Sequence, residues 1–304
     1  MKVVRGYVLV VTLVLMCLTS GCNKKEEEAS VKLNEPSSTS QIPQGIQDAP
    51  VSKEETEGNA NDTSVVTATA VTTSKPQVTK NTSSSVSLIE ARNSSNYTIV
   101  IDAGHQRHAM DDKEPIAPGA TETKAKVSPG TKGSFSGVPE YEVTLDVSLL
   151  LRDIFRNKGY NVVMVRESHD VTISNSERAM VANNNNASAF IRIHCNYAEN
   201  QSVKGALTMC QTKNNPYCGQ YYSQSRNLSD RVIKRLCEAT GAKSRGIMET
   251  DTMSGINWCS VPVTIVEMGF MSNREEDLLL VDKNYQNKLA IGIANGVIEY
   301  LNGQ

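Results

Sequence analysis

Tyr97-Thr-Ile-Val-Ile-Asp-Ala-Gly-His105 is the stretch on which the fold turns. Its Ile- and Val-dominated run reads as a buried strand, and Asp102-Ala103-Gly104 close it with turn chemistry. His105 is thereby left just beyond the strand's carboxyl end. Open α/β sheets bind ligands at that rim, so a histidine there is a site candidate before any other motif is found. Two later runs repeat the design: Ala189-Phe-Ile-Arg-Ile-His194 and Pro262-Val-Thr-Ile-Val-Glu267. Three strand-like runs, each ending in a side chain that can bind a metal or move a proton, predict one catalytic rim.

The segments around these runs supply helices. Gln106 to Pro139 read as a long polar loop containing Gly119, Gly130, Gly133 and Gly137, and loops of that length inside compact domains are usually functional. Glu140 opens a helix with Val143, Val147, Leu150, Leu151, Ile154 and Phe155 on one face, stopped by Gly159. Asn161 to Val165 read as a strand, and Ser174-x-x-Glu177 as the capping box of a short helix that carries Arg178. Ala206 to Cys210 is a further strand, followed by a helix from about Gln220 to Ala239 and a strand from Arg245 to Glu249. Ser272-x-x-Glu275 caps a short helix through Leu280, and Tyr285 to Leu301 form the last one. This alternation predicts a single α/β domain over residues 97–304, with a twisted, largely parallel sheet flanked by helices on both faces.

The chain ahead of that domain is different in kind. Lys2 and Arg5, the apolar run Tyr7 to Leu18, and Thr19-Ser20-Gly21 have the layout of an export signal over residues 1–21. Leu18-Thr-Ser-Gly-Cys22 resembles a bacterial lipobox, which implies a lipid on Cys22 and a mature protein anchored on the outer face of the cell membrane. Residues 22–96 are rich in Ser, Thr, Asn, Glu and Lys. Such sequence cannot bury enough apolar surface to offset chain entropy, so it is expected to be a disordered, flexible tether. Lys plus Arg (31) nearly balances Asp plus Glu (33), which argues against a nucleic-acid partner held by bulk positive charge. The folded part holds Cys195, Cys210, Cys218, Cys237 and Cys259, with no Cys-x-x-Cys spacing; Cys210 and Cys218 flank a turn and could be bridged.

The chain has only four histidines: His105, His108, His169 and His194. Two of them end strands, and a catalytic zinc usually keeps three protein ligands and one open position. Glu140 suits the third place, although an acid at a helix start can equally serve only the helix dipole. Spacing alone leaves both readings open. His108 makes an H-x-x-H pattern with His105, but that spacing belongs to a helix and this stretch reads as loop.

Five blocks occur in order: Val100-Ile-Asp-Ala-Gly-His105, Glu140-Tyr-Glu-Val-Thr-Leu145, Ser176-Glu-Arg-Ala-Met-Val-Ala-Asn183, Phe190-Ile-Arg-Ile-His194 and Pro262-Val-Thr-Ile-Val-Glu-Met-Gly-Phe-Met-Ser-Asn273. Together they resemble the zinc-dependent N-acetylmuramoyl-L-alanine amidases of bacterial cell walls, of the amidase-3 type, over residues 97–301. The resemblance implies that His105, Glu140 and His194 bind Zn²⁺ and that Glu267 is the catalytic carboxylate. It also implies that peptidoglycan is the substrate, cut at the amide between the muramic lactyl group and L-alanine. Arg178 could help stabilise the oxyanion, or could form only a structural ion pair on its helix. The sequence departs from plainer relatives in its longer polar loop and in Gln106-Arg107, where glycines are usual, which leaves cleft shape and substrate preference open.

Two rival readings compete. One is a cell-wall cysteine peptidase using Cys195 or Cys259. Neighbours on a strand face opposite ways, so Cys195 is poorly placed to serve His194, whereas Cys259 could reach the rim. The other is a peptidoglycan-binding lipoprotein without activity, against which the full ligand set and the acid weigh. Biological process, any regulatory partner, and closure of the site by residues 106–139 or 211–226 are not legible.

Overall fold

Alternate side chains of the central strands feed two separate cores, which is why those strands read as unbroken apolar runs. The computed structural model describes residues 87–304; the expected export signal, the expected lipid site at Cys22 and the expected tether up to residue 86 lie outside the described residues. Strand β1 (Thr98–Ala103) sends Ile99 and Ile101 to one face and Val100 to the other. Strand β5 (Ala189–Asn196) does the same with Ile191 and Ile193 against Phe190. With β4 (Asn161–Met164), β6 (Ala206–Cys210), β7 (Ser244–Glu249) and β8 (Val263–Phe270) they form a six-stranded sheet ordered β4-β1-β5-β8-β6-β7. All neighbours run parallel except β6 and β8.

Helices cover both faces, as the alternation predicts. On one face lie α1 (Glu140–Asn157), α3 (Tyr222–Thr240) and α6 (Lys283–Asn302), burying Val143, Val147, Leu151, Phe155, Leu228, Val232, Leu236, Leu289, Ile293 and Val297. The other face carries α2 (Asn175–Asn184) and the short α4 (Ser254–Asn257), with Ala179, Ala182 and Ile256 against Val100, Phe190, Val263 and Ile265. The capping box of α2 is formed: Glu177 N donates to Ser174 Oγ at 3.2 Å and Ser174 N donates to Glu177 Oε2 at 2.7 Å.

Several expectations are corrected. Asp102 does not begin a turn; it lies within β1 and is fully buried, which is tolerable because two guanidinium groups pair with it. The long loop is not structureless: β2 (Met110–Pro115) and β3 (Thr123–Val127) pair as an antiparallel hairpin. The cap of α5 (Arg274–Leu280) is Asn273, whose side chain accepts from Glu275 N and Glu276 N, while Ser272 Oγ accepts instead from Ala198 N. Residues 87–96 are not tether. Leu88, Ile89 and Ala91 pack on the first core, Ile89 N donates to Asn295 Oδ1 at 2.7 Å, and Asn302 Nδ2 donates to Glu90 O at 2.9 Å. Cys210 and Cys218 are not bridged; all five cysteines of the domain are free thiols. Among the described residues no helix is long and apolar enough to cross a membrane.

Candidate metal centre

β1 and β5 end side by side, and α1 starts beside them, so three separate parts of the chain deliver His105, Glu140 and His194 to one place. His105 Nε2, His194 Nδ1 and Glu140 Oε1 form a near-equilateral triangle with edges of 3.1, 3.2 and 3.3 Å. Zinc–ligand distances of about 2.0–2.1 Å and tetrahedral angles give an edge of about 3.3 Å, so the triangle has the size of one face of such a shell. Two imidazole nitrogens and a carboxylate oxygen this close are mutually repulsive unless a proton or a cation sits among them. Among the described residues this is the one group of three metal-ligating side chains that converge.

Two of the three members, His105 and Glu140, are oriented from behind. His105 Nδ1 lies 3.0 Å from Ser128 O, which assigns the hydrogen to Nδ1 and leaves the Nε2 lone pair toward the triangle. Glu140 Oε1 accepts from Cys195 N at 2.9 Å, and its Oε2 accepts from Thr131 N at 2.9 Å. His105 itself has a left-handed backbone, φ 58°, a conformation that is uncommon for a residue with a side chain. Two buried arginines hold it there. Arg178 Nη2 donates to His105 O at 3.1 Å, and Arg166 Nη2 donates to Gly104 O at 3.0 Å.

Burial would raise the Glu140 carboxyl, but His105 and His194 outweigh it and hold the group well below the usual carboxylate range. Burial also opposes charge on His105, yet Glu140 keeps its pKa above 6.5. His194 goes the other way: burial and the neighbouring His105 depress it to about 4. Glu267 is paired in register with His194 across β5 and β8. Burial first, and then the Glu140 charge, push its carboxyl up to about 8. Its Oε2 and the Nε2 of His194 are buried with no hydrogen-bond partner, so the rim presents two unsatisfied polar atoms on neighbouring strands.

The remaining candidates separate clearly. Arg178 is fully buried; its Nη1 donates to Asp102 Oδ1 at 2.6 Å and to Ala103 O at 3.0 Å, and its Nη2 to Gln106 Oε1 at 2.7 Å. With its donors committed inside the core, it has the structural ion-pair role and does not reach into an open cleft. His108 is exposed beside Asp170 and takes no part in the cluster. Burial pushes the thiols of Cys195 and Cys259 well above their ordinary range, and Cys259 Sγ donates to Gly255 O, so neither is set up as a thiolate nucleophile.

Arg166 is the positioning residue that the sequence reading passed over. It is buried, and it donates to Ala103 O at 2.8 Å and Tyr141 O at 2.8 Å as well as to Gly104 O, tying the end of β1 to the start of α1. Its position just beyond β4, a fourth chemistry-bearing side chain at the same rim, was the available signal.

The sequence and the fold have parallels in known proteins. A family model described as N-acetylmuramoyl-L-alanine amidase matches residues 99–299. The germination-specific N-acetylmuramoyl-L-alanine amidase of Bacillus subtilis is 28% identical over 177 residues, covering 53% of this chain and 70% of that protein. YqiI of B. subtilis, itself uncharacterized, is 30% identical over 165 residues, covering 54% of this chain and 76% of that protein. The catalytic domain of CwlV, an amidase from Bacillus (Paenibacillus) polymyxa var. colistinus, superposes with a TM-score of 0.55 at 28% identity, over 68% of this chain and 99% of that one. Ami1 from Mycobacterium smegmatis shares the fold, with a TM-score of 0.64 at 22% identity over 70% of this chain and all of that one (100%). On the extent of the family match and the fold that goes with it, the chain belongs to the N-acetylmuramoyl-L-alanine amidase family, enzymes that hydrolyse an amide bond of peptidoglycan.

Proposed function

We propose that this amidase is zinc-dependent, that His105, Glu140 and His194 hold the ion, and that Glu267 is its general base and acid. The observation that carries the proposal is the triangle of donor atoms, 3.1–3.3 Å on each edge, closed by one carboxylate and two imidazoles. A zinc ion bound there would lower the pKa of a water to about 7 and polarise the substrate carbonyl.

The chain's own residues supply the proton transfers. Glu267 accepts a proton from the attacking water as the water oxygen bonds to the lactyl carbonyl carbon. It returns that proton to the L-alanine nitrogen as the carbon–nitrogen bond breaks, leaving a muramic carboxyl group, which then ionises to solvent, and a free stem-peptide amine. Burial holds the Glu267 carboxyl above its ordinary range, which favours keeping the proton between the two transfers. Arg166 and Arg178 keep the strained His105 backbone in place without touching substrate. Ahead of the domain, a lipid on Cys22 would anchor the enzyme outside the cell membrane.

Metal analysis paired with turnover tests the assignment. Glu267→Gln should keep its zinc and lose roughly 10²–10⁴ in rate, the scale of general acid–base catalysis. His194→Ala should purify without stoichiometric zinc. Full activity in the first variant, or full zinc occupancy in the second, would contradict the roles given.

A further inference from the structure

His105 and Glu140 are steadied by one short strip of backbone, residues 128–131. Ser128 O takes the Nδ1 hydrogen of His105, Thr131 N donates to Glu140 Oε2, and Thr131 O accepts from Glu140 N at 2.9 Å. Between them Gly130 presses on both side chains. A Cβ there would lie 2.8 Å from His105 Cγ and 3.0 Å from Glu140 Oε2, and its φ of 79° is a conformation that favours glycine.

A Ser-Pro-Gly-Thr strip makes no secondary structure of its own, so its position must come from elsewhere. It follows directly on β3, and the β2–β3 hairpin is seated by a set of hydrogen bonds, most of them part-buried. Glu114, 6% exposed, accepts from Ser176 N at 3.0 Å and from Ser176 Oγ at 2.5 Å in the first turn of α2, where a carboxylate also meets the positive end of the helix. Lys126 O accepts from Asn175 Nδ2 at 2.8 Å, and Pro115 O accepts from Trp258 Nε1 at 2.8 Å. The hairpin itself meets the metal ligands through the strip, while α2, on which it is seated, also reaches His105 O through Arg178.

We propose that the β2–β3 hairpin is a clasp that sets the geometry of two metal ligands from outside the coordination shell, and that Glu114 is its latch. The inference rests on the zinc reading above. Glu114, Ser176 and Trp258 are positioning residues: none touches the centre, and the hairpin they seat meets it through the strip. Groups of this kind, once removed, typically lower metal affinity by about 10–100-fold.

Zinc affinity, measured by competition with a chromophoric chelator on the full exported domain, tests it for the parent, Glu114→Ala, Glu114→Gln and Trp258→Phe. The parent is expected to bind one zinc. Glu114→Ala should bind it about 10–100-fold more weakly, and Glu114→Gln should recover part of the loss, because the amide oxygen still accepts from Ser176. In zinc-loaded parent protein the His105 Nδ1 proton should be slow to exchange by NMR, and Glu114→Ala should lose that protection. A latch that only adds general stability would lower the unfolding temperature of the metal-free protein while the folded fraction kept parental zinc affinity; that result overturns the clasp alone. If Glu114→Ala fails to fold, Trp258→Phe decides, with a severalfold loss expected and unchanged affinity contradicting the inference. A parent that binds no zinc would remove the zinc reading and the clasp together.

Discussion

Asp102 and Glu267 are both carboxylates on central strands of one sheet, yet their surroundings drive them in opposite directions. Burial would raise Asp102, but Arg178 and Arg192 outweigh it, and the group stays ionised far below its ordinary 3.8. At Glu267 burial and the Glu140 charge outweigh the pull of Arg192, and the group is raised instead. Breaking a buried ion pair by removing one partner typically costs 3–5 kcal/mol, so Asp102→Asn should lower the urea-unfolding free energy by about that much. The sign with pH follows from the depressed value: the contribution of Asp102 is complete above 3.8 and is lost as pH falls toward its lower folded pKa. Parent and variant should therefore converge in stability on acidification; a gap that stays constant down to low pH would contradict the pairing. Asp102 was misread in the sequence for a definite reason. Asp-Ala-Gly has turn composition, and the compensating arginines stand 76 and 90 positions away, where no local pattern connects them. Of the proposed ligands, His105 and His194 were legible because each lies within two residues of the end of a strand with a strong apolar signal, whereas Glu140 was singled out only by the family resemblance.

At the scale of elements, the helices and core strands could be read from their periodicity, and the hairpin could not. Met110-Asp-Asp-Lys-Glu-Pro115 has no apolar alternation, because one flank of the hairpin faces solvent and the other docks through a carboxylate and main-chain carbonyls. The α3–α6 crossing is a second feature invisible to pattern reading. Gly292 and Gly296 let α6 lie directly on α3: a Cβ at Gly296 would come 2.5 Å from Val232 Cα, and one at Gly292 would come 2.8 Å from Leu236 Cα. Backbone cannot yield as a side chain can. Although Ala is the better helix former, Gly296→Ala should destabilise by about 1–3 kcal/mol through overpacking, and thermal unfolding measures it. A raised melting temperature would mean that the two helices separate more easily than their packing implies.

The whole molecule joins a well-packed amidase domain to an N-terminal region of quite different composition. The boundary read from composition fell ten residues late, because Ser87 to Asn96 are polar like the tether, yet they dock through Leu88, Ile89 and the amides of Asn295 and Asn302. Function at this scale depends on where the domain is held. If Cys22 carries a lipid, Cys22→Ser should move the protein from the membrane fraction to the medium, with hydrolysis of isolated wall unchanged; a variant still in the membrane fraction would point to another mode of attachment. The most direct test of the central claim is mass spectrometry of purified peptidoglycan digested with the enzyme, before and after chelation and after zinc is restored. A zinc amidase releases stem peptides with a free L-alanine amino terminus, stops when chelated, and resumes with zinc. Cleavage at any other bond, or release of the same peptides undiminished by the chelator, would contradict it.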